Sequence, residues 1–112
     1  MEASVTHNGI LEADELEIRP REFVALARGK PLELTVRELD LLIALVERSG
    51  RIVSREELYT VVWGESYRKA DRSVDVYVAK LRHKLALAVP QRRFIHTHFG
   101  FGYRFAPDSG KP

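Results

Sequence analysis

The sequence contains no cysteine, and this absence excludes several kinds of site and crosslink. Without thiols the chain forms no disulfide, no thiolate zinc site and no cysteine nucleophile. The lack also fits a reducing compartment, so we expect a cytoplasmic protein. Long apolar runs are absent too, since none approaches the roughly 18 residues of a membrane-spanning helix. We therefore predict no association with a membrane.

Residue patterns typical of enzymes are also missing. His96 and His98 would share one side of a strand, but no further cluster of metal ligands accompanies them. The Gly100–Gly102 stretch lacks the Lys-Ser/Thr pair and the strand-to-helix context of a phosphate-binding loop. No serine-histidine-aspartate set or pair of carboxylates stands out. We predict no enzymatic activity, no metal and no cofactor.

Charge is present in quantity but is unevenly divided along the chain. The 112 residues carry a formal net charge of only +2. Residues 68–104 hold nine Lys/Arg against two acids, whereas residues 1–67 hold eight Lys/Arg against thirteen acids. The two segments thus carry net charges of +7 and −5. Such a division within one small domain predicts a polyanionic partner on one face.

A chain of this length is expected to form one domain, which we place at residues 10–106. Residues 1–9 are interpreted as a flexible lead or linker, and residues 107–112 as a disordered tail. Short apolar runs separated by turn residues predict an antiparallel four-stranded sheet near the N-terminus. Its strands are Ile10–Ala13, Leu16–Ile18, Phe23–Leu26 and Leu32–Leu34.

Three helices are predicted to follow the sheet. Thr35 and Ser54 each precede a glutamate by three residues, which is the pattern of a capping box at a helix start. Asp71 is the predicted N-cap of a third helix that extends to Ala88. Four apolar residues of that helix lie on one side and predict its buried face. They are Val74, Val78, Leu81 and Leu85.

Residues 93–105 contain two short β runs joined by a glycine-containing loop, which indicates a hairpin. The order of strands, three helices and hairpin predicts an α+β winged helix-turn-helix fold. The major groove of B-DNA admits one α-helix, so the third helix, residues 72–86, is the candidate recognition helix. The hairpin is then the wing.

The outer face of the third helix carries the candidate DNA contacts. Arg72 and Ser73 stand at its N-terminus, where free N–H groups favour a phosphate. Lys80 is the candidate for a guanine edge, and Val76 for a thymine methyl group. The alternative interpretation is an ordinary solvated face with no DNA role, and for the helix alone the two interpretations stay open.

Thr97 and His98 lie next to the hairpin tip, which is predicted to enter a minor groove or to lie on the sugar-phosphate backbone. The alternative is a plain hairpin with inward aromatic residues at Phe101, Tyr103 and Phe105. Trp63 closes the second helix, either as a backbone contact through its indole N–H or as an anchor at the edge of the core.

Residues 34–105 resemble the winged-helix effector domain of OmpR/PhoB-type response regulators. The likeness is carried by several motifs in the same order and covers about two thirds of the chain strongly. They are Leu34-Thr35-Val36-Arg37-Glu38-Leu39-Asp40-Leu41-Leu42, Val53-Ser54-Arg55-Glu56-Glu57-Leu58, Val62-Trp63-Gly64, the run from Asp71 to Leu85, and Gly100-Phe101-Gly102-Tyr103-Arg104-Phe105.

The resemblance implies a sequence-specific transcription regulator that binds double-stranded DNA, of a family whose members are usually controlled by an N-terminal receiver domain phosphorylated on aspartate. Members usually bind direct repeats as head-to-tail pairs, so we expect a monomer in isolation. The loop at residues 64–70 corresponds to the segment with which the family contacts RNA polymerase or shapes its DNA contacts. The positions that match DNA contacts of the family are Trp63, Arg72, Ser73, Tyr77, Lys80, Arg82, Lys84 and Thr97.

Two positions depart from the family pattern. Phe99 stands where the wing commonly has an arginine, and Ala79 occupies a frequently basic position of the recognition helix. An arginine in the minor groove therefore does not carry over to this chain, which leaves His98 or Phe99 in its place. The alternative function is a winged helix that contacts RNA polymerase or another domain instead of DNA.

Overall fold

Two antiparallel sheets flank three helices in the computed structural model, which describes residues 4–5 and 9–108. This order confirms the predicted α+β winged-helix architecture. The N-terminal strands are β1 (Ser4–Val5), β2 (Leu11–Ala13), β3 (Leu16–Arg19), β4 (Val24–Ala27) and β5 (Lys30–Pro31). The remaining elements are α1 (Val36–Glu47), β6 (Ile52–Val53), α2 (Arg55–Trp63), α3 (Ser73–Ala88), β7 (Arg93–His98) and β8 (Gly102–Asp108).

The N-terminal sheet has five strands in the order β1-β2-β3-β4-β5, one more than predicted. Strand β1 lies within residues 1–9, the predicted lead, and pairs with Leu11 and Glu12 of β2. The last strand is Lys30–Pro31 rather than Leu32–Leu34, because a tight turn with positive φ at Arg28 and Gly29 returns the chain at once. Residues 1–3 and 6–8 of the predicted lead lie outside the described residues.

The helix starts follow the predicted caps with two differences. Thr35 and Glu38 form a complete capping box. Ser54 accepts a hydrogen bond from the Glu57 N–H at 3.0 Å, but the Glu57 carboxylate instead binds Arg48 and Arg51. Helix α3 begins at Ser73 with Arg72 as N-cap, whereas Asp71 Oδ1 accepts from the Ser73 N–H at 2.7 Å. Asp71 thus caps the start of α3 from the residue that precedes the N-cap.

The C-terminal hairpin gains a third strand that the sequence pattern did not predict. Strand β6 pairs with β8, so the sheet order is β6-β8-β7. Strand β8 extends to Asp108, so residues 107–108 belong to the sheet rather than to the predicted disordered tail. Residues 109–112 lie outside the described residues.

Gly102 marks the point where β8 approaches the start of α2. Its φ is +139°, a backbone conformation that residues other than glycine rarely adopt. A Cβ at this position would overlap with the Val53 carbonyl, 2.8 Å from the Val53 carbonyl carbon and 2.9 Å from Ser54 Cα. The absence of a side chain therefore allows the wing to join β6.

The core lies between the two sheets and the helices. The predicted stripe of α3 is confirmed, since Val74, Val78, Leu81 and Leu85 are all buried. Helix α1 contacts both other helices as well as β2 and β8. In the wing, Phe105 is fully buried and stacks on Phe94 with ring centroids 5.9 Å apart. This packing leaves the opposite side of α3 free of protein contacts over much of its length.

Candidate nucleic-acid interface

The exposed side of α3 brings together three of the predicted contact residues. Arg72, Val76 and Lys80 are exposed, and Ser73 and Tyr77 are half-buried at the edge of this surface. The Arg72 side chain is 81% exposed, and Val76 is 48% exposed. Val76 thus lies in solvent between the two cations Arg72 and Lys80.

A row of aromatic rings positions Lys80. Its Nζ lies 4.8 Å from the centroid of the Tyr77 ring, within range of a cation–π contact. Tyr77 meets Trp63 edge to face at 5.5 Å, and Trp63 stacks on Tyr59 at 5.1 Å. Trp63 therefore has the contacts of an anchor between α2 and α3. Its predicted contact with DNA backbone stays a prediction.

Arg82, a predicted DNA contact, joins α3 to the wing, and its contact with DNA stays a prediction. Its Nη2 donates to Thr97 Oγ1 at 2.6 Å, and its Nε donates to the Ile95 carbonyl at 3.2 Å. Burial lowers the pKa of Arg82 below its ordinary value. The Thr97 hydroxyl oxygen accepts from Arg82, which leaves the Thr97 O–H group available as a donor to a phosphate.

Lys84 also makes intramolecular contacts. Its Nζ lies 2.7 Å from Glu38 Oε1 and 2.8 Å from the Glu33 carbonyl. The Glu38 side chain is only 3% exposed. Burial alone would raise the pKa of Glu38, but hydrogen bonds from Lys84 and Thr35 outweigh it and hold that pKa below its ordinary value. Lys84 thus fastens α3 to the start of α1.

Asp75 forms a second junction between α3, α2 and the wing. Its Oδ1 accepts from Arg55 Nε at 2.7 Å and from the Tyr103 hydroxyl. Burial would raise the pKa of Asp75, but the bonds from Tyr103 and Arg55 more than offset this effect and lower it. Sequence patterns did not identify this network, because its members are distant along the chain.

Acid is expected to weaken the fold through Asp75 and Glu38. Both pKa values are lower in the folded protein than in the unfolded chain, where they are about 4. Their stabilisation is therefore complete above that range and is lost as the pH falls through the folded values. We expect the free energy of unfolding, measured by urea denaturation, to decline below about pH 4.

The double variant Asp75→Asn, Glu38→Gln serves as the control for this pH effect. It removes both titrations, so it should be less stable than the wild type at pH 6 and show a shallower decline towards pH 3. Equal slopes for the two proteins would show that other carboxylates control the response.

The wing turns its aromatic residues in two directions. Tyr103 and Phe105 are buried, as the inward-packing interpretation predicted, but Phe101 is 71% exposed. That part of the interpretation is wrong because Phe101 lies in the turn beyond the final strand pair, where strand alternation no longer applies. His98 accepts a hydrogen bond from Arg104 Nε at 3.1 Å and is half-buried.

An open groove of about 450 Å³ runs between α3 and β7. Arg82, Arg93, Thr97 and Phe99 are among the residues that line it. Arg93 is exposed at this groove, although it is not among the predicted contact residues. The sequence feature that points to Arg93 is its place in residues 68–104, the segment with a net charge of +7.

The described part of the chain offers neither a metal site nor a membrane-spanning helix. Residues 4–5 and 9–108 contain no group of three or more histidine or acidic side chains placed to hold a metal ion. Among the helices described, none is long and apolar enough to cross a membrane.

Three helices followed by a winged hairpin, with α3 exposed along one side, define the winged helix-turn-helix class of DNA-binding domain. Residues 29–105 match the family model described as "Transcriptional regulatory protein, C terminal". The chain belongs to this family, the C-terminal effector domains of OmpR/PhoB-type response regulators. The family consists of transcription regulators rather than enzymes, in agreement with the sequence-based prediction.

Relatives and solved structures agree with this assignment. The chain is 36% identical over 106 residues to transcriptional regulatory protein YclJ of Bacillus subtilis, covering 94% of this chain and 46% of that protein. Identity to the alkaline phosphatase synthesis regulator PhoP of Bacillus subtilis is 32%, covering 86% of this chain and 40% of PhoP. The chain therefore spans less than half the length of these relatives.

Two solved domains have the same fold. The DNA-binding domain of CpxR from E. coli matches with a TM-score of 0.80 at 33% identity, covering 90% of this chain and 98% of that one. The RstA DNA-binding domain of Klebsiella pneumoniae, solved in complex with the RstA box, matches with a TM-score of 0.78 at 31% identity. That match covers 87% of this chain and 96% of the RstA domain.

Proposed function

We propose that this domain binds specific sites in double-stranded DNA as the effector part of a response-regulator-type transcription factor. The observation that carries the proposal is the exposed face of α3, which presents Arg72, Val76 and Lys80 to solvent. A separate groove between α3 and β7 is lined by further arginines. RstA, which has the same fold, is solved on a DNA box. A regulator of this type acts where its DNA lies, in the bacterial cytoplasm.

Helix α3 enters the major groove, and the wing lies over the adjacent minor groove. The phosphate strand between the two grooves then runs along the channel between α3 and β7. Thr97 donates its free O–H group there, and Arg93 supplies a charge. The Arg82 guanidinium is bonded to the wing and the Lys84 ammonium group to Glu38. We therefore assign both side chains to the positioning of α3 rather than to phosphate binding.

Lys80 is assigned to base edges and Arg72 to phosphate. Lys80 lies near the middle of the exposed face and rests on Tyr77, which limits its directions of approach. Arg72 precedes the first turn of α3, where the helix N-terminus attracts anions. Val76 lies between them and suits a thymine methyl group. Ser73, Tyr77 and His98 line the margins of this surface.

A protein partner is assigned to the loop between α2 and α3, residues 64–70. All of these residues except Tyr67 are exposed, and Tyr67 holds the loop by an edge contact with Tyr59 at 5.6 Å. An exposed loop with one fixed anchor suits a contact with RNA polymerase. On DNA we expect head-to-tail pairs on direct repeats, and a monomer without DNA.

Electrophoretic shift with fragmented genomic DNA, followed by selection of bound duplexes from a random pool, tests the function. A recurring sequence among the selected duplexes is the expected result. If the chain shifts no duplex, or if selection enriches no sequence, specific DNA binding is excluded and the protein-contact alternative takes its place.

Lys80→Ala and Arg72→Ala should affect binding differently. Loss of a base contact by Lys80→Ala costs about 1–3 kcal/mol on the selected site and relaxes preference at one position. Loss of a phosphate contact by Arg72→Ala weakens selected and random duplexes by the same factor. The measurement is the Kd for both duplexes at one salt concentration. Identical behaviour of the two variants would refute this division of roles.

A further inference from the structure

Two phenyl rings stand in solvent at the tip of the wing. Phe99 is 87% exposed and Phe101 is 71% exposed. The other aromatic residues of the hairpin, Phe94, Tyr103 and Phe105, are buried in the core. Paired exposed rings on an otherwise well-packed hairpin mark a surface that another molecule covers.

The turn holds these rings away from the core. The Phe101 N–H donates to the His98 carbonyl at 2.8 Å, and Gly100 has a φ of +83°. These are the features of a type II turn, in which glycine supplies the positive φ. The stem below is fastened to α3 by Arg82 and Thr97. The tip therefore keeps a fixed position relative to the recognition helix.

The turn at the tip, residues 99–101, contains no cation that could attract a phosphate. The nearby Arg104 side chain is hydrogen-bonded to His98, to which its Nε donates at 3.1 Å. Phe99 nevertheless lines the same groove as Arg82, Arg93 and Thr97, so its ring lies at the end of the basic surface. This continuity indicates that the molecule covering the ring is the duplex held by that surface, and that the contact is apolar.

We propose that Phe99 is a wedge that enters a base-pair step from the minor groove, unstacks it and kinks the duplex. This inference rests on the proposed function. Phenylalanine is one of the side chains with which minor-groove proteins separate base steps. Pyrimidine–purine steps such as TA and CA/TG unstack most easily. The selected duplexes should therefore carry such a step at the position that lies under the wing.

The test uses a duplex selected for binding to the 112-residue chain, with 2-aminopurine at the steps under the wing and fluorophores at both ends. Wild-type protein should raise 2-aminopurine fluorescence several-fold at one step and shorten the distance between the ends. Phe99→Ala should lose both signals and bind about tenfold more weakly, because one aromatic–base contact is lost.

Two control variants distinguish insertion of the Phe99 ring from a general apolar or ionic contact with the duplex. Phe23→Ala removes another exposed ring, 63% exposed and outside the basic segment, and should change neither signal. Phe99→Arg should retain binding through charge but lose the unstacking signal. Wild-type binding without unstacking, or both signals intact in Phe99→Ala, would overturn the wedge alone. Failure of the wild type to bind any duplex would overturn the proposed function and the wedge with it.

Discussion

Gly102→Ala is expected to destabilise the domain by about 3–5 kcal/mol, which is a large share of the total stability of a small domain. The added Cβ would overlap with backbone atoms of Val53 and Ser54, which have no flexible end to move aside. The positive φ adds conformational strain. Relief requires β6 to separate from β8, and this separation would pull the wing from the start of α2. Urea denaturation and the thermal midpoint measure the loss.

Gly100→Ala is the matched control for Gly102→Ala. Gly100 also has a positive φ, +83°, but nothing lies within 4 Å of a Cβ placed there. This variant carries only the conformational strain, so we expect a cost of about 1 kcal/mol. A similar loss for both variants would show that strain rather than overlap governs position 102.

DNA affinity is expected to fall by about 500-fold between 50 and 200 mM salt. Five cationic residues of the basic segment are exposed and can displace counterions from a duplex, Lys80 at a base edge and Arg68, Lys69, Arg72 and Arg93 at phosphates. Release of counterions by about five contacts gives a slope of about −4.5 for log affinity against log salt. Fluorescence anisotropy titrations at several salt concentrations measure this slope.

Two variants locate the charges that produce the salt dependence. Arg93→Ala should make the slope shallower by about 1. Lys84→Met should leave the slope unchanged, because the Lys84 ammonium group is occupied by Glu38 and the Glu33 carbonyl. A slope near −5.4 in the wild type, reduced by Lys84→Met, would show that Lys84 leaves Glu38 to bind a phosphate. A flat response would contradict electrostatic binding as a whole.

Much of the fold was predictable because its signals are local. The capping box at Thr35 and the buried stripe of α3 depend on residues within a few positions of one another, and both are confirmed. Strand β6 escaped prediction because two residues are too short to show an alternation. Strand β6 is identified only by its pairing with β8, which lies about fifty positions later in the chain.

The site was less predictable because orientation depends on neighbours from distant segments. Arg82 and Lys84 flank the buried stripe of α3, and at such positions a long cationic side chain reaches either solvent or another element. The Thr97 hydroxyl and the Glu38 carboxylate decide the outcome here. Residue type and helical periodicity describe α3 alone, so they contain no information on these partners.

The bracing of α3 against the wing has a consequence for operator architecture. Arg82 ties the helix to Thr97 and Ile95, and Asp75 ties it to Tyr103. Because α3 and the wing are held at a fixed spacing, the two DNA segments that they contact must also be a fixed distance apart. Each added base pair moves a groove by about 3.4 Å and rotates it by about 35°. Operators of this domain should therefore tolerate substitutions between the two contacted segments far better than insertions or deletions there.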